Sequence, residues 1–202
     1  MVEAADFQSL TDSLWLWEAY DPAVKSDLFS SAALLADRLF LFDPIPLAAT
    51  PLRHLISGRD VAGIVLTNSN HLRAAADFSR QHKAPIFTSE SVIREFNSVE
   101  TVPLSANATI APEISAIPIE GAAPGEMAFH LADNGGTIVV GDALIHLDPY
   151  GFALLPPKYC SDQKEMRRSL RQLLDWTFQR LLFAHGPPLL SSARERLETL
   201  LR

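Results

Sequence analysis

The sequence predicts an α/β protein of two sheets with helices on their outer faces. Three observations carry that prediction. Apolar strand-like runs fall in two blocks, one ending near Phe87 and one between Val99 and Leu155. Strands and helices alternate from Val61 to Phe96. Amphipathic helical stripes then close the chain after Ser161.

Taken in order, Ser13 to Ala19 is an apolar-rich strand stopped by Asp21-Pro22. Trp15 and Trp17, two residues apart, share one face, which is either core or a homodimer contact. Ala32 to Ala36 and Arg38 to Phe42 pair as a hairpin across Asp37, and Asp43-Pro44 ends the second run. Leu52 to Gly58 is a short helix closed by its glycine. Val61 to Leu66 is apolar throughout, as for a strand covered on both faces. Leu72, Ala75 and Phe78 recur at helical spacing and predict a helix from Leu72 to His82. Pro85 to Phe87 is a short strand, and Thr88 or Ser89 caps a helix running through Phe96.

From Val99 onward, short apolar runs alternate with turn residues. Met127 to Leu131 and Thr137 to Val140 flank Asp133-Asn134-Gly135-Gly136. Asn-Gly accepts positive φ at both central positions of a turn, which marks a hairpin. Ala143 to His146 follows Gly141-Asp142. Met166, Leu170, Leu173, Leu174, Phe178 and Leu181 predict one long helix from near Ser161, its stripe facing the core. Leu182 to Ala184 is a last strand leading into His185-Gly186. Ser192 and Glu195 stand at capping-box spacing before a final helix that buries Ala193, Leu197, Leu200 and Leu201.

At 202 residues, 48% hydrophobic and 20% charged, the chain suits one domain, 1–202, with a sizeable core. A formal net charge of −7 argues against nucleic acid or an anionic membrane as partner, since both need clustered cations. A single cysteine, Cys160, allows no intrachain disulfide and fits a reducing cytoplasm. With no base beside it in sequence, Cys160 reads as a small core or loop residue. Met1 to Leu10 has neither a basic start nor an apolar run, so no signal peptide is expected. No apolar stretch reaches the ~18 residues of a membrane span. The expectation is a cytoplasmic protein whose partner is a small molecule.

The most telling segment is Leu66-Thr67-Asn68-Ser69-Asn70-His71-Leu72-Arg73. It is a polar loop between a strand end and a helix start, where α/β proteins place chemistry. It resembles the first signature of the metallo-β-lactamase superfamily, a strand followed by T-H-x-H-x-D-H and a helix. Gly121-Ala122-Ala123-Pro124-Gly125, the Asn-Gly hairpin, Gly141-Asp142 and His185-Gly186 resemble the later signatures, in family order. The resemblance implies a four-layer αββα sandwich. Its site would lie where the loops after residues 67, 121, 141 and 184 converge.

That family holds Zn²⁺ or a similar divalent ion on histidines and carboxylates to activate water for hydrolysis. Here Asn68, Asn70, Leu72, Arg73 and Ala122 stand at five ligand positions, which leaves Asp142 and His185. A catalytic zinc usually has three protein ligands. His71, at a spacer position, supplies a third if the loop shifts, giving a two-histidine, one-carboxylate set. Otherwise it is a partly exposed helix-start residue. Arg73 can pair with Asp142 in the ion's place, with Asn68 and Asn70 hydrogen-bonding around them, or it is a solvated helix arginine. Such a pocket suits a carboxylate or phosphate ligand. Glu126 either bears on it as acid or base or is a surface glutamate. His54 and His82 read as surface residues, and His130 and His146 as packing.

Three functions follow. The first is a hydrolase relative that has lost its dinuclear site and binds a small anion or protein partner without metal, which the five replaced ligands favour. The second is a hydrolase of an ester, thioester or phosphoester with metal on His71, Asp142 and His185. The third is a metal-free enzyme using Asp142 or His185 as general base.

Overall fold

The computed structural model describes residues 2–96 and 99–202. Its first sheet runs in chain order through β1 (Gln8–Ser9), β2 (Leu14–Asp21), β3 (Ser26–Leu35), β4 (Arg38–Phe42), β5 (Asp60–Val65), β6 (Ile86–Ser89) and β7 (Thr101–Leu104). β1 to β4 are antiparallel neighbours joined by turns. β4 to β7 are parallel, because α1 (Ala49–Ile56) and α2 (Ala75–His82) carry the chain back between strands. β8 (Thr109–Ala111), β9 (Ile114–Pro118), β10 (Met127–Leu131), β11 (Thr137–Val140) and β14 (Arg180–Phe183) form the second sheet, in the order β14-β11-β10-β9-β8. β12 (Leu144–Leu147) and β13 (Gly151–Leu154) are a separate hairpin. α3 (Gln163–Leu170) and α4 (Ala193–Leu201) follow β13 and β14.

Strand alternation sorts the apolar side chains into three cores, the number four layers require. In β4, Leu39 and Leu41 face outward to Leu55 of α1 and Phe78 of α2, while Phe40 and Phe42 face the other sheet. In β11, Val139 meets them from the opposite side, and Ile138 and Val140 pack outward on Met166 of α3 and Leu197 of α4. The architecture is therefore the αββα sandwich. Trp15 and Trp17 are buried in the outer core of the first sheet, where Trp17 Nε1 donates to Ile45 O at 3.0 Å. Among the described residues no helix is long and apolar enough to cross a membrane.

Local chemistry explains where the elements depart from expectation. The Asn-Gly hairpin forms between β10 and β11, with Asn134 and Gly135 both at positive φ, 49° and 84°. Thr88 and Ser89 stay in β6, so the helix expected through Phe96 shrinks to a 3₁₀ turn at Ile93–Glu95. The long helix starts where Asp162 caps Lys164 N and Glu165 N, but α3 ends at Leu170 and tightens into a 3₁₀ turn, Arg171–Asp175. Leu181 belongs to β14 instead. The expected capping box at α4 does not form, since Ser192 sits at φ 51° with no side-chain cap bond. His82, expected at the surface, is half-buried and stacks on Phe78.

Candidate functional site

The ends of β4, β5, β11 and β14 meet at one edge of the sandwich, and the loops that follow them carry the polar residues. Asn68 sets the first loop. It is extended, φ −164°, and its Oδ1 accepts from Asn70 N at 2.8 Å. That bond starts a 3₁₀ turn, Ser69–His71, which turns His71 into the protein, where it is buried. α2 then begins only at Ala75.

Asp43, just past β4, fixes the His71 ring. Its Oδ1 accepts from Thr67 N at 2.8 Å and its Oδ2 from Thr67 Oγ1 at 2.6 Å. The Thr67 hydroxyl proton is thereby used, so its oxygen accepts from His71 Nδ1, 2.7 Å away; Asp43 Oδ2 lies 3.1 Å from the same nitrogen. His71 Nδ1 therefore carries hydrogen, and the lone pair of a neutral ring falls on Nε2. His185 is arranged alike, with Nδ1 3.3 Å from Asp27 O, an obligate acceptor. Both Nε2 atoms face Asp142 Oδ1, at 3.2 Å from His71 and 3.4 Å from His185. His71, Asp142 and His185 each bring a ligand atom within 4.8 Å of the others. Although His71 Nε2 lies at ion-pair distance from Asp142, the alignment is not that of a hydrogen bond, so this buried nitrogen has no hydrogen-bond partner among the described residues.

The second oxygen of Asp142 accepts from Asn68 Nδ2 at 3.2 Å and from Asn70 Nδ2 at 3.0 Å. Asn68 Nδ2 also donates to Glu126 Oε2 at 2.6 Å, and Ala143 N donates to Glu126 Oε1 at 3.0 Å. Gly141 makes room for this, since a Cβ there would stand 2.9 Å from Glu126 Oε1 and 2.9 Å from Asn68 Nδ2. Burial, then the neighbouring Asp142 charge, pushes Glu126 up to about 8, so it holds a proton at neutral pH. Burial would also raise Asp142, but His71 and His185 hold it far below the usual carboxylate range. Asp43 is held low mainly by His71 against the same burial. Burial and Arg73 work to lower His71, yet Asp43 and Asp142 raise it to about 9.

The edge thus gathers His71, Asp142, His185, Asn68, Asn70 and Glu126. Neither the partly exposed reading of His71 nor the surface reading of Glu126 holds, since both are buried, and no loop shift is needed to bring His71 in. Ala122 is buried in the outer core of the second sheet. Arg73 does not pair with Asp142. Its guanidinium donates to the carbonyls of Phe29, Asp43 and Ala184. The reason is that three backbone carbonyls at the strand ends take up its donors. Asp43 was missed from sequence. Its signal was a carboxylate closing an apolar strand, a group that must find donors wherever it is buried. Thr67, read only as the retained signature threonine, joins Asp43 to His71.

A sequence model described as the metallo-beta-lactamase superfamily matches residues 8–201. The DIM-1 metallo-β-lactamase overlays with a TM-score of 0.76 at 13% identity, covering 98% of this chain and 98% of its own. A metallo-β-lactamase from Pontibacter korlensis gives 0.74 at 13% identity, over 97% and 98%. A metallo-β-lactamase family protein from Thermus thermophilus gives 0.67 at 20% identity, over 96% and 79%. At these identities the structural likeness is one of fold. A search of curated proteins gives no match.

Proposed function

This chain belongs to the metallo-β-lactamase superfamily, and we propose that it is a hydrolase relative holding one divalent metal ion on His71, Asp142 and His185. The observation that carries the reading is the unpartnered, buried Nε2 of His71. Once His71 gives up its Nε2 proton, that nitrogen, His185 Nε2 and an Asp142 oxygen lie within 4.8 Å of one another, an arrangement that a metal cation among them stabilises. Two histidines and a carboxylate are a ligand set for Zn²⁺, Fe²⁺ or Mn²⁺ that leaves positions open for substrate. When bound, such an ion supplies Lewis acidity toward an ester, thioester or phosphoester.

The chain's own residues do the rest. Asp43 and Thr67 hold the His71 tautomer and aim its Nε2. Asn68 and Asn70 fix the Asp142 carboxylate through its second oxygen, leaving Oδ1 toward the histidines. Glu126, protonated at neutral pH, adds no second negative charge beside Asp142.

A metal-free alternative rests on charge balance. With His71 raised to about 9, His71 and Arg73 offset Asp43 and Asp142 with no ion present. A small anion as its ligand fits this edge poorly, because the Asn68 and Asn70 amides and the Arg73 fork are already donated to protein acceptors. The test is elemental analysis of protein purified without chelator, then re-exposed to Zn²⁺, Mn²⁺ and Fe²⁺, beside Asp142→Ala. We expect about one ion per chain in the parent and none in the variant. No metal above background under any condition would overturn the metal reading.

A further inference from the structure

We infer that Arg73 is a positioning residue: it crosses the seam between the two sheets and holds the two halves of the candidate site at a fixed separation. The site is split. Asp43, Thr67 and His71 belong to the first sheet and its loops, whereas Asp142 and His185 follow β11 and β14 of the second. Backbone bonds cross this seam at Met127 N to Thr67 O, 2.7 Å, and at Phe29 N to Ala184 O, 3.0 Å. Arg73 joins the second of these. Its Nη2 donates to Ala184 O at 3.3 Å, and its Nη1 donates to Phe29 O and, at 2.9 Å, to Asp43 O.

Each acceptor bears on a site residue. Ala184 is bonded in sequence to His185. Asp43 grips His71 through its carboxylate and Arg73 through its carbonyl. Phe29 lies two residues from Asp27, whose carbonyl faces His185 Nδ1. All three hydrogen-bond acceptors are backbone carbonyls. A planar fork of several donors can span three separate carbonyls, whereas an ammonium is a compact point donor.

The inference rests on the proposed metal site for only one arm of its test. Arg73→Lys is compared with Arg180→Lys, which weakens a similar buried arginine at the far end of β14, bonded to Thr137 Oγ1 and Asn134 O. The first readout is the ring ¹⁵N and ¹³C resonances of His71 and His185 in metal-free protein. The second is the Co²⁺ dissociation constant. Arg73→Lys should move both rings' resonances and weaken Co²⁺ about tenfold or more, while Arg180→Lys leaves both readouts at parental values. Equal behaviour of the two variants would overturn the inference. If the parent takes up no Co²⁺, the metal reading fails and the ring resonances alone decide the positioning role. Should Arg73→Lys fail to melt cooperatively, the Arg73 guanidinium resonances of the parent protein decide: separate, slowly exchanging Nη signals support the clamp, and fast exchange overturns it.

Discussion

Where β14 begins, Arg180 is buried and donates to Thr137 Oγ1 and Asn134 O, both neutral. Where β14 ends, the same sheet meets Asp142 and His185, with Asp43, Glu126 and His71 buried beside them. One end of the sandwich holds a single buried guanidinium on neutral oxygens. The other holds three carboxyl groups and a histidine out of water. A buried charge costs several kcal/mol unless it is paired, and even a good pair rarely outdoes an apolar replacement. Stability gives no reason to gather such groups at one edge, and that difference supports the proposal of a metal site there.

The sharpest way to break this comparison is to remove a carboxylate that serves the site but would not touch the ion. Asp43→Ala takes the acceptor from Thr67 and the neighbouring carboxylate from His71, and we expect a loss of about 3–5 kcal/mol in urea unfolding, together with loss of metal. A smaller effect follows from pH. The folded pKa of His71 lies above its unfolded value, so its stabilisation is complete below 6.5 and is lost as pH rises through about 9. Glu126 has the same sign, with stabilisation complete below 4.5 and lost as pH rises through about 8. Metal-free protein should therefore lose on the order of 1–3 kcal/mol between neutral and mildly alkaline pH, read from urea midpoints. Saturating Zn²⁺ should flatten that fall, because the ion takes the place of the proton on His71.

At the opposite end, Arg180→Met leaves Asn134 O and Thr137 Oγ1 short of a donor and should cost about 1–2 kcal/mol with no change in metal uptake. Smallest of all, Ser192→Gly should raise stability by about 0.5 kcal/mol, since the serine holds a left-handed conformation and its hydroxyl makes no cap bond. A thermal melt of each variant with and without metal separates the two ends.

The fold was legible because its signals are local. The apolar run Val61 to Leu66 and the Asn-Gly turn each read out within a few residues. Where structure depended on a bond to a distant partner, sequence spoke less clearly. Ser192 and Glu195 have capping-box spacing, yet the backbone at Ser192 does not allow it. The site divides in the same way. Asp142 and His185 could be named from their signatures, and His71, at a spacer position, only as a third if its loop shifted. The burial of Glu126 depends on Asn68, 58 residues earlier, and that of Asp43 on Thr67, 24 residues later. Arg73 was singled out with Asp142 as its expected partner, but it takes three backbone carbonyls, which leave no mark on the side-chain sequence.

The most direct test is calorimetric titration of metal-free protein with Zn²⁺ near pH 7.5, in two buffers of different ionisation enthalpy. The account predicts one ion per chain, with a proton released as Zn²⁺ displaces it from His71. Binding without proton release, or no saturable binding at all, would contradict it.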